Sequence, residues 1–296
     1  MYIFLLLILF QISYNQDTFS IVAVNPYTGE IGSAGASCIS GSIIISDIHP
    51  GHGAIHTQSF WLAYNQNLAS NYMELNYTPE QIIDSLVTND SQNNPSIRQY
   101  GAVDLIDGGR SAAFTGENCY DYKGHITGPN YAIQGNILLG TEILIQMEEN
   151  FLNTEGTFSE KIMASLQGAN IPGADIRCLQ NGTSSLSAFI RIAYPNDSPN
   201  NLILDLNISN TNNGIEPIDI LQNQFQNWNN QQPEIYYGDL NDDDLVNISD
   251  ILLMISNITS DNLLSIHALY SADLNKDSNL NIQDIILTLY IILGNN

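Results

Sequence analysis

The chain has 296 residues, 44% of them hydrophobic, and it carries 7 Lys and Arg against 31 Asp and Glu, a formal net charge of −24. This length is enough for one large domain and a small one. The shortage of basic residues argues against binding to nucleic acid, because no basic surface exists to neutralise phosphates. The acidic balance fits a secreted protein, a cation-binding protein, or adaptation to salt and solubility.

An apolar run, Tyr2–Phe10, begins almost at the first residue. It is too short to span a bilayer, and its N-terminal position is typical of the core of a secretory signal peptide. No Lys or Arg precedes it, and Ser13–Gln16 lacks a small-x-small cleavage site. We assign residues 1–16 to a signal peptide cleaved near Gln16. We therefore expect a secreted or cell-surface protein with no membrane span after cleavage.

The next stretch, Asp17–Val24, alternates like a β-strand and runs into the turn signal Asn25–Gly29. A returning strand of small residues completes a hairpin with Thr18 near its head. A threonine hydroxyl can act as a nucleophile activated by its own α-amino group, but only when every preceding residue is removed. The alternative is an ordinary first strand whose Thr suits β-structure. Because Asp17 separates Thr18 from the leader, signal cleavage after Gln16 would leave Thr18 blocked.

The remaining elements of the large domain alternate between pairs of strands and pairs of helices. The predicted strands are Ser42–Ser46, Gly53–Phe60, Arg98–Leu105, Ser111–Gly116, Tyr131–Asn136, Leu186–Ala193 and Asn201–Ile208. The predicted helices are Asn65–Glu74, Pro79–Val87, Thr141–Asn150, Phe158–Leu166 and Ile218–Trp228. This order predicts an α+β fold with helices on the outer faces of the sheets.

Three cysteines, Cys38, Cys119 and Cys178, give an odd count. In an exported protein, one disulfide and one remaining thiol are expected, and we favour the pair Cys119–Cys178. The alternative is three buried thiols.

A polar stretch, Asn227–Pro233, indicates a domain boundary, and we place the linker at residues 229–234, between a large domain at 17–228 and a small one at 235–296. In the small domain, Asp239–Asp250 recurs as Asp273–Asp284. Oxygen-bearing side chains fall at positions 1, 3, 5, 9 and 12 of both copies, and position 7 needs only its carbonyl, which is the EF-hand spacing. The predicted calcium ligands are Asp239, Asn241, Asp243, Leu245, Asn247 and Asp250 for one ion, and Asp273, Asn275, Asp277, Asn279, Asn281 and Asp284 for a second.

Each loop runs into an apolar helix, predicted at Ile251–Ile258 and Ile285–Leu293. Position 6 is Asp244 or Ser278 instead of the usual Gly, which predicts a strained turn or a weaker affinity. The alternative is a solvated acidic linker that repeats by chance.

The region Tyr237–Gly294 resembles a dockerin type I module, in which two such loops each precede one helix. In that family Asp is usual at position 12. The resemblance implies docking onto a cohesin-type scaffold or cell-surface protein, often within a polysaccharide-degrading assembly. Positions 10 and 11, where the family often carries its recognition pairs, are Ile248-Ser249 and Ile282-Gln283. Because the two pairs differ, symmetric docking in two orientations is not expected.

The pattern Thr-Phe-Ser-Ile-Val-Ala-Val-Asn-Pro-x-Thr-Gly-Glu-Ile-Gly from Thr18 is similar to domain of unknown function 1028, with further matching blocks at Gly53–Ser59, Arg98–Gly101, Ala113–Gly116 and Gln134–Asn136. The resemblance covers residues 18–228 and implies a four-layer αββα sandwich of the Ntn-hydrolase-like superfamily.

By the same resemblance Thr18 would attack an amide carbonyl, and Asn136 is a candidate oxyanion donor. His56 and Arg98 are further polar residues on strands. The alternatives are a turn-capping Asn136, a structural His56 and an ion-paired Arg98. No Lys that could tune the threonine amine occurs before Lys123.

Three functions remain open at this point. The first is an exported amidohydrolase, acting on an unknown small-molecule or peptide substrate and tethered by a calcium-dependent module. The second is a non-catalytic binding protein on the same fold. The third is a component of an extracellular polysaccharide-degrading assembly, although no Asp/Glu pair in the large domain is recognisable as a glycosidase acid and base.

Overall fold

The computed structural model describes Tyr14–Gln16 and residues 18–260 and 264–294. The chain divides into two compact units, Met1–Phe225 and Gln226–Asn296. Residues 1–13 of the predicted signal peptide lie outside the described residues, whereas Tyr14–Gln16 form a short β-strand. Among the described helices, none combines the length and the apolar character that a membrane crossing requires.

The first unit contains two antiparallel sheets. The first sheet has strand order β1-β5-β6-β7, with β4 also paired to β5. Its strands are β1 (Tyr14–Gln16), β4 (Ser46–His49), β5 (Gly53–Trp61), β6 (Arg98–Asp104) and β7 (Arg110–Thr115).

The second sheet has six strands in the order β11-β10-β3-β2-β9-β8. Its strands are β2 (Phe19–Asn25), β3 (Glu30–Ser37), β8 (Gly124–Gly128), β9 (Tyr131–Gly135), β10 (Ser187–Ala193) and β11 (Leu204–Ile208). The predicted opening hairpin is β2 and β3, which pair from Phe19↔Ala36 to Asn25↔Glu30.

The outer faces of both sheets pack against helices. The helices of this unit are α1 (Ala63–Glu74), α2 (Pro79–Thr88), α3 (Glu142–Asn153), α4 (Phe158–Gly168) and α5 (Pro217–Asn229). Apolar residues of β5 and β6 pack with α1 and α2 in one buried cluster: Ile55, Tyr100, Ala102, Ala69, Met73, Ile82 and Leu86. On the second sheet, α4 approaches β3 so closely that a Cβ added to Gly32 would lie 2.7 Å from Ile162.

Local chemistry fixes where α2 begins. The Thr78 hydroxyl accepts a hydrogen bond from the Gln81 amide, and the Gln81 side chain accepts one from the Thr78 amide. Pro79 occupies the first helical position, where a missing N–H costs nothing.

The inner faces of the two sheets pack against each other and differ along their length. At one end the contact is apolar, with Val22, Val24 and Ile31 of the second sheet against Ile48, Ala54 and Val103 of the first. At the other end, where β2 begins, the inward positions are polar.

The strand predicted at Ser42–Ser46 is wrong, because Ser42–Ile45 form a 3-10 turn and β4 begins at Ser46. Gly41 adopts a left-handed conformation with φ of 77°, and the Ile44 amide donates to the Gly41 carbonyl. Within the turn only Ser42 and Ile45 are buried. Tertiary packing therefore overrides the β-propensity of three consecutive isoleucines.

The predicted Cys119–Cys178 pairing is also wrong, as is the alternative of three thiols. The structure joins Cys38 to Cys178. The Asp175 carboxylate accepts a hydrogen bond of 2.9 Å from the Cys38 amide, which brings the end of β3 to the turn that contains Cys178. Cys119 is a buried thiol that donates to the Arg98 carbonyl oxygen.

The second unit contains α6 (Ile248–Thr259), α7 (Ile266–Ala272) and α8 (Ile282–Ile292). Its small core is built from Leu240, Met254, Ala268 and Ala272. The helices that follow the loops thus begin three residues earlier than predicted, because Asn247 and Asn281 cap them.

Candidate functional site

Thr18 lies at the polar end of the space between the sheets. It immediately precedes β2, whose first residue Phe19 pairs with Ala36 and Gly135. The antiparallel register therefore places Thr18 beside Ser37 on one side and Asn136 on the other. The Thr18 carbonyl accepts hydrogen bonds from the Asn136 amide, at 3.1 Å, and from Gln58 Nε2, at 3.3 Å.

The Thr18 side chain is fully buried, and its Oγ1 has no hydrogen-bond partner among the described residues. Because side chains alternate along a strand, Thr18 shares the inward face with Ser20, two residues further on. Ser20 contacts Gln58 of the first sheet and Gln134 of the second. The threonine hydroxyl thus belongs to the contact surface between the two sheets.

Buried side-chain amides connect the sheets around this point. Gln99 Nε2 donates to the Gly124 and Gly135 carbonyls, at 3.0 and 2.9 Å. Gln99 Oε1 accepts from Gln58 Nε2 and from Asn136 Nδ2, each at 2.8 Å. Since backbone carbonyls can only accept, they fix the orientation of the Gln99 amide and, through it, that of its two partners.

The assignment of hydrogen-bond donors and acceptors continues from Gln58 to His56. Gln58 Oε1 accepts from the Ser20 hydroxyl, at 2.6 Å, and Ser20 Oγ accepts from Gln134 Nε2, at 2.7 Å. Gln134 Nε2 also lies 3.3 Å from His56 Nδ1, which must then be the acceptor. His56 Nε2 carries the proton and donates to Ser33 Oγ, at 2.6 Å.

His56 is therefore a neutral histidine within this chain of contacts. Complete burial, with a smaller contribution from the positive charge of Arg191, lowers its pKa from 6.5 to about 3. We call the connected side chains the glutamine network; its members are Ser20, Ser33, His56, Gln58, Gln99, Gln134 and Asn136. Gly101 leaves room for it, because an added Cβ would lie 2.1 Å from Gln134 Oε1.

Asn136 is adjacent to Thr18, but its side chain is partly engaged. One hydrogen of Nδ2 is given to Gln99, and Oδ1 has no partner among the described residues. Its backbone amide holds the Thr18 carbonyl in place. Asn136 therefore orients the threonine and keeps one free amide hydrogen to donate.

A charged pair borders the site next to Ser37. Arg177 lies 2.6 Å from the fully buried Asp175 carboxylate, and its Nη2 is 3.5 Å from Ser37 Oγ. The Cys38–Cys178 disulfide ties the end of β3 to the same turn. Arg177 therefore supplies a cation next to Ser37, which is the strand neighbour of Thr18. No lysine precedes Lys123 in the sequence.

Arg98 has a structural role. Its guanidinium forms an ion pair of 2.8 Å with Asp90, and both side chains are almost fully buried. The pair lowers the pKa of Asp90 to about 2 despite the opposing effect of burial. Arg98 lies on the outward side of β6, away from Thr18.

Gln58, Gln99 and Gln134 were not predicted as site residues from the sequence. The signal that could have identified them is a glutamine within each of three predicted strands. Only their shared inward face, set by the pairing of β2 with β9 and of β5 with β6, shows that they meet.

The two predicted calcium loops of the second unit have nearly identical conformations. In the first, Asp239 accepts from the amides of Asp243 and Asp244. In the second, Asp273 accepts from the amides of Asp277 and Ser278. The residues at position 12 also correspond, because Asp250 accepts from Leu240 and Asn247 amides and Asp284 from those of Leu274 and Asn281.

The unusual residues at position 6 adopt the left-handed conformation that glycine normally provides. Asp244 has φ of 65° and Ser278 has φ of 60°. The turn expected from the EF-hand spacing is therefore made with non-glycine residues at a conformational cost.

The donor set of the loops fits a hard cation. The aspartates at positions 1 and 12 are buried: Asp239, Asp250, Asp273 and Asp284. Burial, together with the nearby carboxylates of Asp284 and Asp277, raises the pKa of Asp273. A divalent ion among such oxygens would relieve this repulsion. Within the described residues, no group of three or more His, Cys, Asp or Glu side chains is arranged to hold a metal. The predicted ligand set of each loop also contains asparagine side chains and one backbone carbonyl.

Large apolar side chains are exposed on the helices after the loops. Ile248 and Leu252 of α6 are 55% and 60% exposed, and Ile282 at the start of α8 and Leu293 just after its end are each 63% exposed. These exposed apolar side chains make α6 and α8 a candidate protein-docking face.

Solved structures that are similar to this chain include two proteins. The crystal structure of protein SPO2555 from Silicibacter pomeroyi, assigned to DUF1028, shares 26% sequence identity over 71% of this chain and 88% of that one, with a TM-score of 0.59. Anbu (ancestral beta-subunit) from Yersinia bercovieri shares 10% identity over 75% of this chain and 100% of that one, with a TM-score of 0.39, a likeness too weak to support an argument. No curated protein matches the chain.

Two family models match successive parts of the chain. The dockerin type I model matches residues 237–288. Such domains bind calcium, typically bind cohesin partners, and usually occur in extracellular or cell-surface proteins. The model of the family of unknown function, DUF1028, matches residues 18–218. The chain therefore belongs to the DUF1028 family and ends in a dockerin type I domain.

Proposed function

We propose that the large unit is a hydrolase of the N-terminal-nucleophile type, that it cleaves an amide bond with Thr18, and that the dockerin domain tethers it outside the cell. The observation that carries the proposal is a buried threonine hydroxyl without a partner, at the head of β2, between two sheets. Helices against the outer face of each sheet support the four-layer αββα arrangement expected of such enzymes.

In this mechanism the Thr18 α-amine takes the hydroxyl proton, because an α-amino group has its pKa near neutrality. Oγ1 forms a bond to the substrate carbonyl carbon, and the remaining Nδ2 hydrogen of Asn136 is available to the oxyanion. The C–N bond then breaks, and the leaving amine receives the proton. Water hydrolyses the resulting ester and restores the threonine.

The Asp175–Arg177 pair is the proposed electrostatic partner of the amine. It reaches Ser37, the register neighbour of Thr18, and Asp175 is fully buried. A fixed charge pair beside Ser37 biases the protonation of the Thr18 amine, so that no lysine is needed for this role.

The proposal requires removal of every residue before Thr18, including Asp17. We propose export through the signal peptide at residues 1–16, followed by a second cut. The apolar leader and the usual extracellular location of proteins with dockerin domains support this order.

The test is the mature N-terminus and its reactivity. Intact mass of secreted protein should give a chain that begins at Thr18, and a threonine-directed β-lactone should add one mass increment to it. Thr18→Ala should abolish labelling, Thr18→Ser should keep it, and the exposed Thr127→Ala should not change it. A mature chain that still carries Asp17 would contradict the hydrolase.

For the tail we propose two Ca²⁺ ions, one in each set of six predicted ligands, and docking to a cohesin-type partner through α6 and α8. The exposed Ile248 and Ile282 at position 10 support this face. Binding of a cohesin, measured by calorimetry, should vanish with EDTA. Because the adjacent residues Ser249 and Gln283 differ, Ile248→Asp and Ile282→Asp should weaken it unequally.

The dockerin match also favours a second candidate, a component of an extracellular polysaccharide-degrading assembly whose large unit binds without catalysis. A mature chain beginning before Thr18 that still binds cohesin would favour this alternative.

A further inference from the structure

One edge of β5 is covered by two separate strands. β4 pairs with the first part, from Gly53 to His56. Beyond β4, the backbone of Ser59–Trp61 pairs with β1, in the register Tyr14↔Trp61, Asn15↔Phe60 and Gln16↔Ser59. The other edge of β5 is occupied by β6 along Gly53–Ser59.

The strand on this edge consists of the residues that precede the proposed nucleophile. Gln16 is two residues before Thr18. The chain therefore runs antiparallel along β5 and directly into the candidate site. The maturation required by the proposed function removes β1, and the β5 edge at Ser59–Trp61 thereby loses its neighbouring strand.

An unpaired strand edge binds an extended chain through main-chain hydrogen bonds. Aromatic side chains lie next to the β5 edge at Ser59–Trp61. Phe60 is half-buried with its ring centroid 5.8 Å from that of Tyr120, which is 51% exposed. These rings offer apolar contact to side chains of a bound segment.

We propose that the β5 edge at Ser59–Trp61 binds the acyl side of an extended peptide substrate, in the register that Tyr14–Gln16 adopts. This inference rests on the proposed function and gives it a substrate class. The peptide places three residues on the edge, and the carbonyl that Thr18 attacks belongs to the residue that follows them. The leader strand thus occupies the substrate groove before maturation.

The test uses the chain that begins at residue 18, released from a removable leader and carrying Thr18→Ala so that catalysis is absent. The probe is a fluorescent peptide of residues 11–17, measured by anisotropy, with hydrogen exchange at Ser59–Trp61. Binding should slow exchange at these amides. Single N-methylation at Asn15 or at Gln16 should differ, because alternate amides of an antiparallel strand face the edge.

Methylation of the edge-facing amide should weaken binding about 2- to 10-fold, as expected for one lost hydrogen bond, and methylation of its neighbour should not. Tyr120→Ala should weaken binding, whereas Tyr236→Ala, which is equally exposed, is the matched control. Three results would each contradict the proposed peptide groove. They are equal effects of the two methylations, no protection of Ser59–Trp61 from exchange, and protection by cellotetraose but not by the peptide.

The outcomes separate this inference from the proposed function. With Thr18 restored, a peptide that binds on the edge without being cleaved contradicts the hydrolase but not the groove. Amide cleavage without protection of Ser59–Trp61 contradicts the groove but not the hydrolase.

Discussion

The two units bury polar groups in opposite ways. In the large unit the buried side chains that join the two sheets next to Thr18 are neutral amides and hydroxyls, and most of their polar atoms hydrogen-bond to one another. Thr18 Oγ1, Gln134 Oε1 and Asn136 Oδ1 have no partner among the described residues. In the tail the buried polar groups are carboxylates, which sit close together and accept backbone amides. Neutral groups can complete a network alone, whereas clustered carboxylates need a counter-charge.

This contrast predicts what each unit requires for its proposed function. The interior of the large unit needs no ion. Its proposed chemistry requires a covalent change, which is the cleavage that exposes the Thr18 amine. The tail needs no covalent change, and we propose that its folding is coupled to calcium binding. The following experiments test this contrast, starting with the largest expected effect.

Removing calcium should act on the tail alone. By linkage, an ion present at about 1000 times its Kd stabilises a site by about 4 kcal/mol, so EDTA should abolish or sharply lower the tail's melting transition. The transition of the large unit should stay in place. Differential scanning calorimetry with and without calcium provides the measurement.

A matched pair of variants controls for this effect. Asp239→Asn removes a buried charge at position 1 and should weaken the calcium response, whereas Asp242→Asn, in the same loop but 66% exposed, should leave it intact. An unchanged tail transition in EDTA would contradict calcium-coupled folding.

Substitution in the glutamine network should destabilise only the large unit. Gln99→Leu removes the Gln99 hydrogen bonds of Gln58 Nε2, of Asn136 Nδ2 and of the Gly124 and Gly135 carbonyls. The expected loss in the free energy of unfolding is about 3 kcal/mol, measured with urea. Gln146→Leu, on the exposed face of α3, should stay within about 0.5 kcal/mol of the parent. Equal effects of the two variants would contradict a stabilising role of the glutamine network.

Two buried histidines of the large unit should give pH dependences of opposite sign. His56 has a lowered pKa of about 3, so below pH 6.5 the unfolded state binds a proton that the folded state does not. Stability should fall by about 2 kcal/mol between pH 6.5 and 5, and His56→Gln should remove that loss.

His49 has the opposite shift. Burial opposes its charge, but hydrogen bonds and attraction to Asp47 and Glu74 prevail and raise its pKa. Its contribution is fully present below pH 6.5 and is lost as the pH rises through the raised value. His49→Gln should therefore flatten the alkaline side of the urea stability profile and leave the acid side unchanged. Parallel profiles for the two variants would refute the assignment of charge.

The smallest effect is expected at the tail's position 6. Ser278→Gly should stabilise the tail by about 0.5–1 kcal/mol at fixed calcium, because glycine adopts the positive φ without the steric cost. Asn279→Gly, at a neighbouring position without a positive φ, should destabilise it. Thermal unfolding at a single calcium concentration compares the two, and a stabilising Asn279→Gly would remove the conformational explanation.

Much of the fold could be predicted from local patterns. The β2–β3 hairpin, the capped α2 and the order of strands and helices follow from alternation and turn residues. The strand β8 and the helix α7 were missed, because Gly124–Gly128 and Ile266–Ala272 are short and lack a clear period. The 3-10 turn at Ser42–Ile45 was mistaken for a strand, because propensity does not include the bend at Gly41.

The two loops proposed to bind calcium are legible in the sequence, since all the predicted ligands of one ion lie within twelve consecutive residues and their spacing carries the prediction. A threonine at the head of a hairpin is legible there too. The surroundings of that threonine come from the tertiary structure. Gln58 and Gln99 meet across 41 residues, and Cys38 pairs with Cys178 across 140. Such contacts depend on which strands become neighbours and which face turns inward, and no local pattern carries that information.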